Sequence, residues 1–76
     1  MINLDEWNWI VNKSDRTCTN VENSVIIEMR IEGNSFRGML RDMPIQLFAE
    51  IAEDRNGERI IGKMVKMAEE EYLKLS

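Results

Sequence analysis

Only one register lets the stretch from Val25 to Arg41 fold as a hairpin with a single apolar face, and this restricts the chain more than any other feature. Gly33 and Asn34 lie between two runs of alternating apolar and polar residues, and both tolerate the positive φ that two-residue hairpin turns require. With these two at the tip, Ile31 opposes Phe36, Met29 opposes Gly38 and Ile27 opposes Leu40. Val25, Ile27, Met29, Ile31, Phe36 and Leu40 then share one face. A three-residue loop would oppose Ile31 to Arg37 and turn one strand's apolar residues away from the other's, so the two-residue turn is predicted. The second face carries Ile26, Glu28, Arg30, Arg37, Met39 and Arg41. Arg30 lies across from Arg37, a like-charge pair that needs Glu28, Glu32 or an anion to screen it.

The chain changes character at its one proline, Pro44. β-Branched residues, Asn, Ser and Thr are frequent before it; Ala, Glu, Lys, Met, Leu and Ile dominate after it. Trp7, Trp9 and Val11 alternate with Asn8, Ile10 and Asn12, which predicts a short strand with both tryptophans on one face. Lys13 to Ser24 is rich in polar turn formers and reads as a loop holding Cys18. In Ile45 to Asp54, Leu47, Phe48, Ile51 and Ala52 follow helical spacing behind a proline suited to a first helical turn. Ile45, Leu47, Ala49 and Ile51 also alternate as in a strand, but Gln, Leu, Ala and Glu favour helix, with Asn56-Gly57 as a left-handed stop. Ile60, Ile61, Met64, Val65, Ala68, Tyr72 and Leu75 form one stripe of an amphipathic helix of about four turns. Gly62 inside it points to a helix start nearby or to the close approach of a neighbouring element. Lys66 and Glu70 are spaced to pair on its solvent side.

The predicted fold is α+β over residues 1–76 as a single domain. A small antiparallel sheet, made of the N-terminal strand and the hairpin, is covered by one or two C-terminal helices. If residues 45–54 were a strand, a four- or five-stranded meander with one C-terminal helix would result.

At 76 residues the chain is near the lower limit for building a core unaided, and 43% apolar with 32% charged residues is a globular balance. Asp5 and Glu6 stand where an export signal would carry positive charge, and no apolar run exceeds three residues, so no membrane association is expected. One cysteine forms no internal disulfide, which suits a reducing cytoplasm. The chain has no histidine, which removes the commonest general base and zinc ligand. Glu50, Glu53, Asp54 and Glu58 lack calcium-loop spacing, and Glu69-Glu70-Glu71 point about 100° apart around a helix, so both groups read as solvated surface. The glycines at 33, 38, 57 and 62 fit no phosphate-binding loop. No catalytic residue, cofactor or metal site is predicted, and Cys18 reads as a small residue beside a strand.

Trp7, Trp9 and the methionines invite a binding reading, but a domain this small needs them for its core. Arg30, Arg37 and Arg41, with Met39, are the one concentrated positive feature and the candidate contact for an anion or nucleic acid. Residues 33–43 carry two positive charges and one negative, whereas the whole chain has a net charge of −4, whose field opposes encounter with nucleic acid. The order of a strand (Phe36 to Arg41), Pro44, a short helix, a turn at Gly57 and a longer helix ending in Tyr72-Leu73 resembles the ribbon-helix-helix family. That resemblance covers residues 36–73 and implies a DNA-binding dimer intertwined through the strand, such as an antitoxin, with Arg37, Met39 and Arg41 facing the groove. The preferred expectation is a non-catalytic protein-interaction or regulatory module. It is expected to self-associate as a homodimer, with Trp7, Trp9, Met39 and Phe48 as candidate contacts, because a chain of this size buries only about 60% of its unfolded surface. The DNA-binding regulator is the alternative.

Overall fold

A computed structural model of the chain describes residues 2–74. A single 3-10 turn, Leu4–Glu6, is followed by strands β1 (Ile10–Asn12), β2 (Thr17–Asn20), β3 (Val25–Glu32) and β4 (Ser35–Asp42) and helices α1 (Ile45–Glu53) and α2 (Gly57–Lys74). The strands form one antiparallel meander in the order β1-β2-β3-β4. The fold is thus α+β, with both helices after the sheet.

The β3–β4 hairpin has the predicted register: Ile31 opposes Phe36, Arg30 opposes Arg37, Met29 opposes Gly38 and Ile27 opposes Leu40. Of the two tip residues only Gly33 takes a positive φ, +58°, and glycine at the first central position is the type II′ arrangement. Ile26 opposes Asp42, so Arg41 is an extra residue that makes a bulge at the far end.

The predicted loop from Lys13 to Ser24 is instead two turns with strand β2 between them. Each turn is begun by an asparagine. Asn12 Oδ1 accepts from the Asp15 N–H (3.1 Å), and Asn20 Oδ1 accepts from the Asn23 N–H (2.9 Å). Each ends on a left-handed residue, Arg16 or Ser24, both at φ 56°. The tryptophans do not lie in a strand. Asn3 accepts from the Asp5 N–H (3.2 Å) to start the 3-10 turn, Trp7 ends it, and the Asn8 carbonyl is held by the Asn20 side chain (2.8 Å). A side-chain bond thus takes the place of a ladder bond at the Asn8 carbonyl, and pairing begins only at Ile10.

Helix α2 packs across one sheet face. Cys18, Val25, Ile27 and Met29 from the sheet are buried with Met64, Ala68 and Tyr72 from α2, Ile51 from α1 and Leu4. The predicted cover residues Ile61 and Val65 are partly buried, while Leu75 lies outside the described residues. Ile31, predicted on the covered face, is 46% exposed, whereas Phe36 opposite it packs on Tyr72 at 5.8 Å between ring centroids. Of the two roles expected for Gly62, a helix start nearby or a close approach, α2 starts earlier, at Gly57, and the close approach occurs at Gly38. A Cβ on Gly62 would meet nothing within 4 Å, but on Gly38 it would lie 2.9 Å from Val65 Cγ1 and 3.0 Å from Glu69 Cγ.

Helix α1 forms as composition favoured, but Asn56-Gly57 is not a left-handed stop. Gly57 opens α2, and a Cβ there would lie 2.5 Å from the Ile51 carbonyl oxygen, so glycine serves the tight corner between the helices. At the other end of α2, the Lys13 ammonium donates to the Tyr72 carbonyl (3.0 Å) and sits 3.8 Å from the centre of its ring. A cation thus meets the negative end of the helix dipole.

Candidate interaction surfaces

Cys18 lies in β2, paired with Ile27 and fully buried beneath α2, rather than in a loop. Burial, with Glu71 adding and Lys13 opposing, pushes its thiol up from 9.0 to about 11. It is therefore a protonated core residue at neutral pH, not a nucleophile. Among the described residues no three His, Cys, Asp or Glu side chains are grouped so as to hold a metal ion. The three successive glutamates are not all surface. Glu69 accepts from the Gly38 N–H (2.8 Å), Glu71 pairs with Lys74 (3.0 Å) and Glu70 is exposed. The alternation of an antiparallel ladder directs the Gly38 N–H away from β3, so Glu69 blunts the outer edge of the sheet. The predicted pair of Lys66 with Glu70 is not among the ion pairs of the described residues.

The sheet face opposite α2 has no helix on it. Ile10, Thr19, Ile26 and Asp42 cross it in one row, Asn12, Thr17, Glu28 and Met39 in the next, and Arg30 with Arg37 beyond. A depression of about 200 Å³ lies among Arg30, Glu32, Ser35, Arg37 and Met39. The bulge sets Arg41 apart, beside a second depression lined by Ile10, Thr17 and Ile26. Among the described residues no carboxylate comes within 4.0 Å of these three guanidinium groups, so Glu28 and Glu32 do not screen the arginine pair by direct contact.

Of the residues predicted for self-association, Trp7 and Trp9 pack on each other (5.9 Å between centroids), half-buried beside α2. The indole N–H of Trp9 is buried without a partner among the described residues. Met39 lies on the open sheet face, and Phe48 lies on α1. These four do not form one surface.

The most exposed large apolar side chain among the described residues, Ile45, is on α1. Leu47 and Ile51 turn inward, and Ile51 is the helix's one fully buried residue, while Ile45 is 86% and Phe48 53% exposed and Ala49 and Ala52 are open to solvent. The helix has nine residues, no side-chain cap at Pro44, no acid in its first turn and no base in its last. Beside it a groove of about 440 Å³ runs between α1 and α2 over Phe48, Ile51, Ala52 and Ile61. Its rim is Asp54, Arg55, Glu58 and Arg59, and among the described residues none of these four is in an ion pair. Sequence reasoning missed Ile45 and the alanines, although apolar residues on both sides of a single helix were the available signal.

No helix of the described residues is long and apolar enough to cross a membrane. Comparison with protein-family models, with curated proteins and with solved structures gives no match.

Proposed function

We propose that this chain is a small non-catalytic interaction or regulatory module that works as a homodimer in the cytoplasm. The observation that carries this reading is the outward side of α1. A nine-residue helix is marginal by itself in water, and this one lacks a side-chain cap at its N-terminus and dipole-matched charges yet presents Ile45, Phe48, Ala49 and Ala52 to solvent. A second chain would supply the missing cover, and two-fold dimers are the commonest soluble assembly. The absence of histidine and the raised thiol of Cys18 favour a non-catalytic role, and a single buried thiol suits a reducing compartment. Light scattering over a dilution series tests the reading. The mass should fall from two chains towards one, with thermal stability rising with concentration. A monomer throughout, with stability independent of concentration and no binding of a hydrophobic dye, refutes it.

The second reading, a DNA-binding regulator of ribbon-helix-helix type, is favoured by one observation: Arg30, Arg37, Met39 and Arg41 lie on a sheet face that no helix covers. Against it, that assembly pairs the strand with its own copy, and Glu69 already occupies the Gly38 N–H on the outer edge of β4. Duplex DNA binding that falls steeply with salt and is lost in Arg37→Glu with Arg41→Glu would establish it over the first reading.

A further inference from the structure

We infer that the partner of α1 is α1 of a second copy, packed antiparallel about a two-fold axis that passes between Phe48 and Ala49; this rests on the homodimer reading above. The exposed stripe has the order Ile45, Phe48, Ala49, Ala52, bulky at its N-terminal end and small at its C-terminal end. Antiparallel pairing of two such stripes sets Phe48 against the partner's Ala49 and Ile45 against the partner's Ala52. Large meets small at every position, as interdigitated helices require, and the alanines let the axes approach to about 8 Å. A parallel pairing would set Phe48 on Phe48 and leave a gap between the alanines.

The groove fits the same arrangement. Ala52 lines it, so the partner's Ile45 arrives at its mouth with apolar floor, Ile51 and Ile61, beneath. The rim, Asp54, Arg55, Glu58 and Arg59, lies beyond the C-terminal end of the stripe, so in this pairing the two rims stay roughly 15 Å or more apart and do not oppose each other. An isologous interface has to be self-complementary, and the size order of this stripe is.

Three variants, measured beside the wild type, test the inference by sedimentation and by mild oxidation. Ala52→Glu places a charge at an exposed position of a helix that tolerates glutamate, and should raise the dimer dissociation constant about a hundredfold or more while circular dichroism stays unchanged. Ala49→Cys, next to the axis, should form an intermolecular disulfide much faster than Glu50→Cys on another side of the helix, Cys18 being buried and inert. If Ala52→Glu fails to fold, the comparison of the two cysteine variants decides. A wild-type dimer that survives Ala52→Glu, or equal crosslinking at positions 49 and 50, overturns this arrangement and leaves the homodimer reading standing. A wild type that is monomeric at every concentration overturns both.

Discussion

Gly38 and Gly62 should respond to alanine with opposite signs. Gly62 is an exposed interior position of α2 where an added Cβ would find nothing within 4 Å, so alanine should recover the helix propensity that glycine forfeits, about 1 kcal/mol. For a domain of this size that is a rise of roughly 5 °C in Tm. At Gly38 the new methyl would meet Val65 Cγ1 at 2.9 Å, Glu69 Cγ at 3.0 Å and Ile27 Cγ2 at 3.3 Å. Val65 is β-branched on a helix and has essentially one rotamer, so it cannot swing aside. Glu69 is tethered by its 2.8 Å bond to the Gly38 N–H. Lifting α2 to make room loosens that charge-assisted bond, so overpacking of about 1–3 kcal/mol should appear as a fall of roughly 5–15 °C. Thermal unfolding of both variants at one protein concentration measures this. Val65→Ala in the Gly38→Ala background should cost less than in the wild type, with a coupling of about 1 kcal/mol. If Gly38→Ala is neutral, or shifts Tm in the same direction as Gly62→Ala, the close approach of α2 to β4 is wrong.

Lys13→Met removes both the bond to the Tyr72 carbonyl and the cation over its ring, and should cost about 1 kcal/mol in chemical denaturation, since the lysine is exposed. Cys18 should make stability fall at alkaline pH. Its folded pKa, about 11, lies above the unfolded 9.0, so its contribution is complete below pH 9 and is lost as pH rises towards 11, at about 1.4 kcal/mol per unit. The stability difference between wild type and Cys18→Ala should shrink over that window. A difference that stays constant from pH 8 to 11 would refute the raised thiol.

Some of this architecture could be read along the chain because local patterns sufficed. The β3–β4 register follows from period-two alternation around a turn that glycine permits, and only that register gathers Ile27, Met29, Phe36 and Leu40. The long helix follows from a stripe at helical spacing, and α1 from composition. Strand β2 was harder to read, since Thr17-Cys18-Thr19-Asn20 has no apolar alternation of its own and becomes a strand by pairing on both sides, with β1 and β3. The signal that could have found it was the asparagine pair, Asn12 and Asn20, each with an Asp or Asn three residues on, as in side-chain-anchored turns.

How far the covered face extends was not a local matter. Period-two alternation marked the face with Val25, Ile27, Met29, Ile31, Phe36 and Leu40 for the helix, and α2 packs there, but it did not show that Ile31 would stay 46% exposed. The helix takes the face on which Gly38 leaves room for Val65 and Glu69, and so leaves Arg30, Arg37 and Met39 uncovered. In the same way α1 has apolar residues on two sides, and only its packing against α2 decides that Leu47 and Ile51 turn inward and Ile45, Phe48, Ala49 and Ala52 remain outside. Sequence alone determined the elements whose periods are set by bonds within a strand pair or a helix. The exposed surfaces depended on steric fit between residues far apart in the chain, and that fit exists only once the elements meet.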